Sequence, residues 1–251
     1  MVTSSEAGIG VVARSAAILR TLAETPDGMS LGQIASRIGL PRSTVQRLVA
    51  ALDIEGLITT GTSAGQISLG AEFLRIAGQA RRAVIDRVRP IMETISAELE
   101  ETVDFSKVQR DNIVFLEQVA GKHRLAAVSH VGDVFPLHCT SVGKSYLASL
   151  QPNSLASVLG SSLTRYTSQT IVDFPKLMKE LAGVVGDGVA FDMEEHTDGI
   201  SAVGFAFEDR AANWFGISVP MPTTRFVSKS DQAQKLLKAM ASQIKGAIKT
   251  G

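Results

Sequence analysis

The residues of this chain with the most chemical potential lie in its second half. Gly143-Lys144-Ser145 has the ending of a phosphate-binding loop, in which backbone amides cradle phosphates and the lysine reaches them. That loop also needs a glycine at position 138, and His138 stands there. The pattern fails, and Lys144 reads as a capping or structural lysine. His138 and Cys139 are neighbours, and neighbours on an extended chain point to opposite sides. A Cys–His nucleophilic pair is therefore not expected, and Cys139 reads as a small buried hydrophobe. His123, His130, His138 and His196 show no metal-site spacing, so no metal and no cofactor are expected. Asp192, Glu194 and Glu195 form an acidic cluster with two readings: a solvated loop, or a segment in which one carboxylate faces a ligand cavity. Nothing here specifies a reaction, and no catalytic residue is assigned.

A second chemistry is visible nearer the N-terminus. Arg37, Arg42 and Arg47 occur where no acidic residue stands between Gly28 and Leu52. Phosphate binding needs such a locally positive surface. The elements that would position it are legible. Ser30 precedes Gln33 at capping-box spacing. Leu31, Ile34, Ala35 and Ile38 then share one face of a short helix, which Gly39 stops. Pro41 restarts a helix, in which Val45, Leu48, Val49 and Leu52 repeat the spacing and Gly56 ends it. Two helices joined by a short glycine-containing turn make a helix-turn-helix. Burying Val45, Leu48, Val49 and Leu52 leaves Arg42, Ser43, Thr44, Gln46 and Arg47 facing outward, side chains able to reach base edges or phosphates. Ile58-Thr59-Thr60 and Gln66-Ile67-Ser68-Leu69 flank Gly61 to Gly65 as a hairpin, the wing of a winged helix. The bland alternative is a helical hairpin that only packs or mediates protein contacts.

The whole chain sets the frame. Its 251 residues suffice for one large domain or two ordinary ones, and its 25 basic and 25 acidic residues balance. Hydrophobic residues make up 45%, an ordinary globular composition. One cysteine excludes an internal disulfide and fits an intracellular, cytoplasmic setting. No apolar run is long enough for a membrane span. Met1 to Gly10 reads as a mobile leader, and residues 11–70 as the winged helix-turn-helix, mainly α. Residues 71–89, rich in Ala, Arg and Leu, read as a linker helix, with Pro90 a break or a new start. Residues 90–251 alternate helical and strand-like runs: a helix over Val88–Glu101, strands over Thr102–Lys107, Asn112–Val119 and Arg124–His130, then helices over Ser141–Leu150, Ser154–Leu159 and Asp173–Val185. Strands over Gly188–Met193, Ile200–Phe207 and Trp214–Pro220 precede a terminal helix, Ser228–Lys249. This order predicts an α+β domain with a mostly antiparallel sheet.

Two segments together resemble the signatures of the IclR-type bacterial transcription regulators. Phe135-Pro136-Leu137-His138-Cys139-Thr140-Ser141-Val142-Gly143-Lys144-Ser145-Tyr146-Leu147-Ala148 resembles the first, and Gly188-Val189-Ala190-Phe191-Asp192-Met193-Glu194-Glu195 with Gly199 the second. The order of parts matches too. The resemblance implies a winged helix, a linker helix and a GAF-like effector-binding domain. It implies a double-stranded DNA operator, a homodimer or dimer of dimers, and a small effector, an organic or aromatic acid. By position it assigns the effector site to Phe135, Ser141, Val142, Asp192, Ile200, Ala202, Ser218 and Pro220; for Phe135, Val142 and Ile200 plain core packing is the alternative.

The chain departs from the family's pattern in places. Ala202 and Ala206 stand where a cysteine and then a proline are usual, and Pro220 where a serine is frequent. These changes remove polar groups and disfavour a very small, polar keto acid. The wing from Gly61 to Gln66 lacks a basic residue. The expected function is ligand-responsive control of transcription, with two rivals: an enzyme carrying a DNA-binding appendage, and an interaction module without a ligand.

Overall fold

The computed structural model describes residues 4–61 and 66–249, which form two compact units, Met1–Arg81 and Arg82–Gly251. In the first unit, α1 (Ser4–Ala23), α2 (Leu31–Ile38) and α3 (Arg42–Ile54) precede the strands β1 (Ile58–Thr60) and β2 (Ile67–Leu69). Helix α1 starts at Ser4, earlier than the start expected near Val11, and the Ser-Ser-Glu opening has helix-start composition. The core expected from periodicity is present. Ile34 of α2 and Val45, Leu48, Val49 and Leu52 of α3 are buried with Ile18, Leu22, Ile58 and Ile67. Strands β1 and β2 pair antiparallel, and Met29 bridges to Ile67 beside them. The wing tip, residues 62–65, lies outside the described residues.

Helix α4 (Glu72–Leu99) runs through Pro90 without ending, against the expected break. A proline inside a helix costs about 3 kcal/mol. Val88, Ile91, Met92, Ile95 and Leu99 of the same helix are buried, and each contributes about 1.5–3 kcal/mol, so packing overrides the proline.

The second unit is built on one antiparallel sheet in the order β5-β4-β3-β8-β7-β6. Its strands are β3 (Val103–Gln109), β4 (Asn112–Val119), β5 (Val134–Pro136), β6 (Ala190–Met193), β7 (Ile200–Glu208) and β8 (Trp214–Pro222). Helices α5 (Ser141–Ser149), α6 (Pro152–Leu159), α7 (Phe174–Asp187) and α8 (Thr223–Lys249) complete it. Strand alternation sorts β7 onto two faces. Val203, Phe205 and Phe207 join the core made with α4 and α8. Ala202, Gly204 and Ala206 face the other way, where α5 packs; a Cβ on Gly204 would lie 2.8 Å from Ser141 Oγ.

The expected strand over Arg124–His130 is irregular instead, and β5 takes the place beside β4. Its backbone is engaged by side chains: Thr102 Oγ1 donates to the Ala127 carbonyl (2.9 Å) and Arg225 to that of Leu125 (2.8 Å). Side-chain bonds of this kind compete with a ladder for the backbone. Strand β6 starts at Ala190 because Gly188, at φ 66, caps α7 in the left-handed region.

Candidate functional site

The helix-turn-helix is set by its caps. Gln33 N donates to Ser30 Oγ (3.3 Å) and Ser30 N to Gln33 Oε1 (2.8 Å), closing the capping box. Gly39, at φ 66, ends α2 in a conformation that costs other residues 1–2 kcal/mol as a rough figure. Pro41 is the N-cap of α3 rather than its first residue. On α3, Arg42, Ser43, Gln46 and Arg47 are exposed and Thr44 half-buried, beside the buried row Val45, Leu48, Val49, Leu52. Arg37, in the last turn of α2, pairs with Glu24 at 2.6 Å, an acid outside the acid-free stretch in sequence but adjacent to it in space. Both partners are at least half exposed, and such a pair holds at most about 1 kcal/mol. Arg37 is thus available at little cost.

In the second unit a cavity of about 200 Å³ lies over the sheet. Phe135, Ser141, Val142, Asp192, Ile200, Ala202, Ser218 and Pro220 all line it, so every residue placed there by sequence position is brought together. Register explains the floor. Asp104 opposes Ser218, Ser218 opposes Gly204, and Pro220 opposes Ala202, which opposes Asp192. Two adjacent rows of the sheet thereby point at the start of α5. Sequence reasoning missed Asp104, Phe115, Thr140, His196 and Thr197, and the segment Ala126–Ser129. Asp104 carried a signal, a lone acid between Val103 and Phe105 in an apolar strand. The 126–129 segment carried none, because its place depends on contacts far along the chain.

The glycine of the first signature has a steric role. A Cβ on Gly143 would lie 2.2 Å from the Leu137 carbonyl oxygen, so only glycine lets α5 approach that backbone. Thr140 caps α5, accepting from Gly143 N (3.3 Å) and donating to the Pro136 carbonyl (2.9 Å).

Two buried carboxyls face the cavity. Asp104 accepts from Gln118 Nε2 (2.7 Å) and Ser129 Oγ (3.0 Å), and burial pushes its pKa up to about 6. Asp192 accepts from Glu195 N (2.7 Å), and burial pushes its pKa up to about 7. The solvated-loop reading of the acidic cluster is therefore corrected: Asp192 and Glu195 are both buried. Lys144, wholly buried, donates to Glu195 Oε1 and to Glu180 Oε1 (3.0 Å), the structural role expected of it. The His196 ring stacks on Phe135 at 3.8 Å between centroids and on Tyr166 at 5.1 Å. Burial lowers the His196 pKa, so its ring is neutral at pH 7. Burial also drives the Cys139 thiol well above its ordinary value, so it is not a thiolate nucleophile. Among the described residues no cluster of three His, Cys, Asp or Glu is placed to hold a metal.

A capped helix-turn-helix with a β-hairpin, followed by an α+β domain that carries a mostly apolar cavity, defines a DNA-binding transcription regulator. Residues 11–61 match the model of the IclR helix-turn-helix domain, and residues 79–246 that of the bacterial transcriptional regulator IclR C-terminal domain. The chain belongs to the IclR family. It is 40% identical over 237 residues to the HTH-type transcriptional regulator Rv1719 of Mycobacterium tuberculosis, covering 94% of this chain and 92% of that protein. It is 34% identical over 241 residues to the HTH-type transcriptional regulator TtgV of Pseudomonas putida, covering 96% and 92%. Among solved structures, an IclR-type regulator from Silicibacter sp. TM1040 superposes with a TM-score of 0.83 at 21% identity, covering 95% of this chain and 96% of that one. An IclR homologue from Microbacterium hydrocarbonoxydans, solved in complex with 4-hydroxybenzoate, superposes with a TM-score of 0.79 at 20% identity, covering 95% and 98%.

Proposed function

We propose that this regulator is controlled by a small aromatic compound bound in the cavity over the sheet, and that α3 is its recognition helix. The observation that carries the sensor reading is the convergence of both family signatures on one concave, largely apolar space. Such a space with a few fixed polar groups is what a small-ligand site requires. Its size fits one substituted ring, since an apolar cavity of about 150 Å³ takes up benzene. The 4-hydroxybenzoate complex of the Microbacterium homologue supports a single-ring ligand.

Arg42, Ser43, Thr44, Gln46 and Arg47 contact the operator in this reading, with Arg37 on the phosphate backbone. The protein works in the cytoplasm as a homodimer or dimer of dimers, and a dimer places two recognition helices about 34 Å apart on a palindrome. Val11, Val12, Leu74 and Ile76, apolar and exposed in the first unit, support self-association. Among the described residues no helix is long and apolar enough to cross a membrane. The cavity is assigned binding rather than turnover, and among the described residues that line it none is an activated nucleophile.

The test is selection of binding sites from random duplex DNA by the full chain, then titration of the selected duplex with single-ring aromatic compounds. A palindromic consensus whose affinity changes with a compound is the expected result. Selection without a consensus would remove the operator reading. A consensus insensitive to every compound would remove the sensor reading, since an effector acts only through unequal affinity for two states.

A further inference from the structure

The family resemblance implied an acid as effector, and the charges of this cavity oppose one. Asp104 and Asp192 are the charged side chains that line it, and no lysine or arginine does so among the described residues. They stand three strands apart on β3 and β6, about 14 Å between backbones at ordinary strand spacing, with Ser218 and Ala202 between them. The buried cation of this unit among the described residues, Lys144, is already held by Glu180 and Glu195. Ser141 and Ser218 are both more than nine-tenths buried and line the same space, and their side-chain hydroxyls make no hydrogen bond among the described residues. The start of α5 opens here too and offers an anion about half a positive charge. Two carboxyls outweigh it.

We propose, building on the sensor reading above, that the effector is an aromatic compound without negative charge that donates hydrogen bonds from both ends of its ring, such as a phenolic alcohol or phenolic amine. One donor goes to the Asp104 side and the other to the Asp192 side. Ser141 and Ser218 take the remaining polar contacts, and Phe115, Phe135 and Ile200 hold the ring. The cavity rejects the matching carboxylate, because a third negative charge in a poorly solvated space is not compensated.

The test uses the full-length protein at pH 7.5 and three probes that share a phenol and differ in the group opposite it: 4-hydroxybenzylamine, 4-hydroxybenzyl alcohol and 4-hydroxybenzoate. Titration calorimetry gives each affinity. The amine and the alcohol are expected to bind about tenfold or more tightly than the benzoate, the scale of a nearby like charge. In Asp104→Asn or Asp192→Asn the gap between alcohol and benzoate should narrow, because one negative charge is gone. Ala202→Leu, which fills the floor, should abolish binding of all three while circular dichroism reports an intact fold. Benzoate binding as tight as the alcohol in the parent would overturn the charge assignment and leave the sensor reading standing. Alcohol binding that survives Ala202→Leu would place the site elsewhere and overturn the proposal. Absence of binding by all three probes would overturn it as well, and selected-duplex titration with a wider set of aromatics then decides the sensor reading separately.

Discussion

The wholly buried ammonium of Lys144 donates to Glu195 Oε1, and Glu195 in turn donates its backbone N–H to Asp192 on the cavity wall. An ion pair out of solvent therefore braces the segment that carries a cavity carboxyl. Glu195 Oε2 has no hydrogen-bond partner among the described residues, so the pair is only partly compensated and depends on Lys144.

Removing one member of such a pair leaves the other charge buried. Lys144→Met is expected to destabilise the second unit by about 3–5 kcal/mol, and adding Glu195→Gln should restore a large part of that loss. Urea unfolding of the single and double variants measures both. A double variant no better than the single one would mean that Lys144 acts through packing alone.

Asp192 predicts a pH-dependent stability. Its folded pKa of about 7 lies above its ordinary 3.8, so the folded state binds the proton more tightly than the unfolded chain does. The cost grows as pH rises from about 4 to about 7 and is complete above that. Asp192→Asn removes it and keeps an acceptor for Glu195 N. The variant should gain on the order of 4 kcal/mol over the parent at pH 8 and less than half of that at pH 5. Equal differences at the two pH values would exclude this cause.

On the DNA side, Arg42→Ala and Arg47→Ala should each weaken operator binding by about 1–3 kcal/mol where the contact reads a base. Arg37→Ala should cost less and reduce the salt dependence of binding, as a phosphate contact does. Fluorescence anisotropy with the selected duplex at several salt concentrations separates the two behaviours. Parental affinity in both Arg42→Ala and Arg47→Ala would move the recognition surface away from α3.

The capping box gives a fourth prediction. Ser30→Ala removes the acceptor of Gln33 N and leaves the first turn of α2 short of a partner. A loss of about 1 kcal/mol in the first unit is expected. Thermal unfolding followed by far-ultraviolet circular dichroism reads it. A Tm unchanged from the parent would show that water serves that amide equally well.

The sequence alone determined the local features. Ser30, Gln33 and Gly39 mark the ends of α2 through side-chain and backbone chemistry that acts within a few residues. The spacing of Val45, Leu48, Val49 and Leu52 fixed which face of α3 is buried and so which residues it presents. The two signatures also located the cavity residues, because the family resemblance carries positional information that periodicity lacks. Tertiary structure decided what depends on distant partners. Pro90 stays inside α4 because five neighbours are buried by other elements. Arg124–His130 loses its strand because Thr102, Asp104 and Arg225, remote in sequence, take its polar groups. Arg37 meets Glu24 for the same kind of reason. Above all, the charge of the cavity is a tertiary fact. Asp104 and Asp192 lie 88 positions apart in sequence, and only the β3-β8-β7-β6 order of the sheet turns them toward one space.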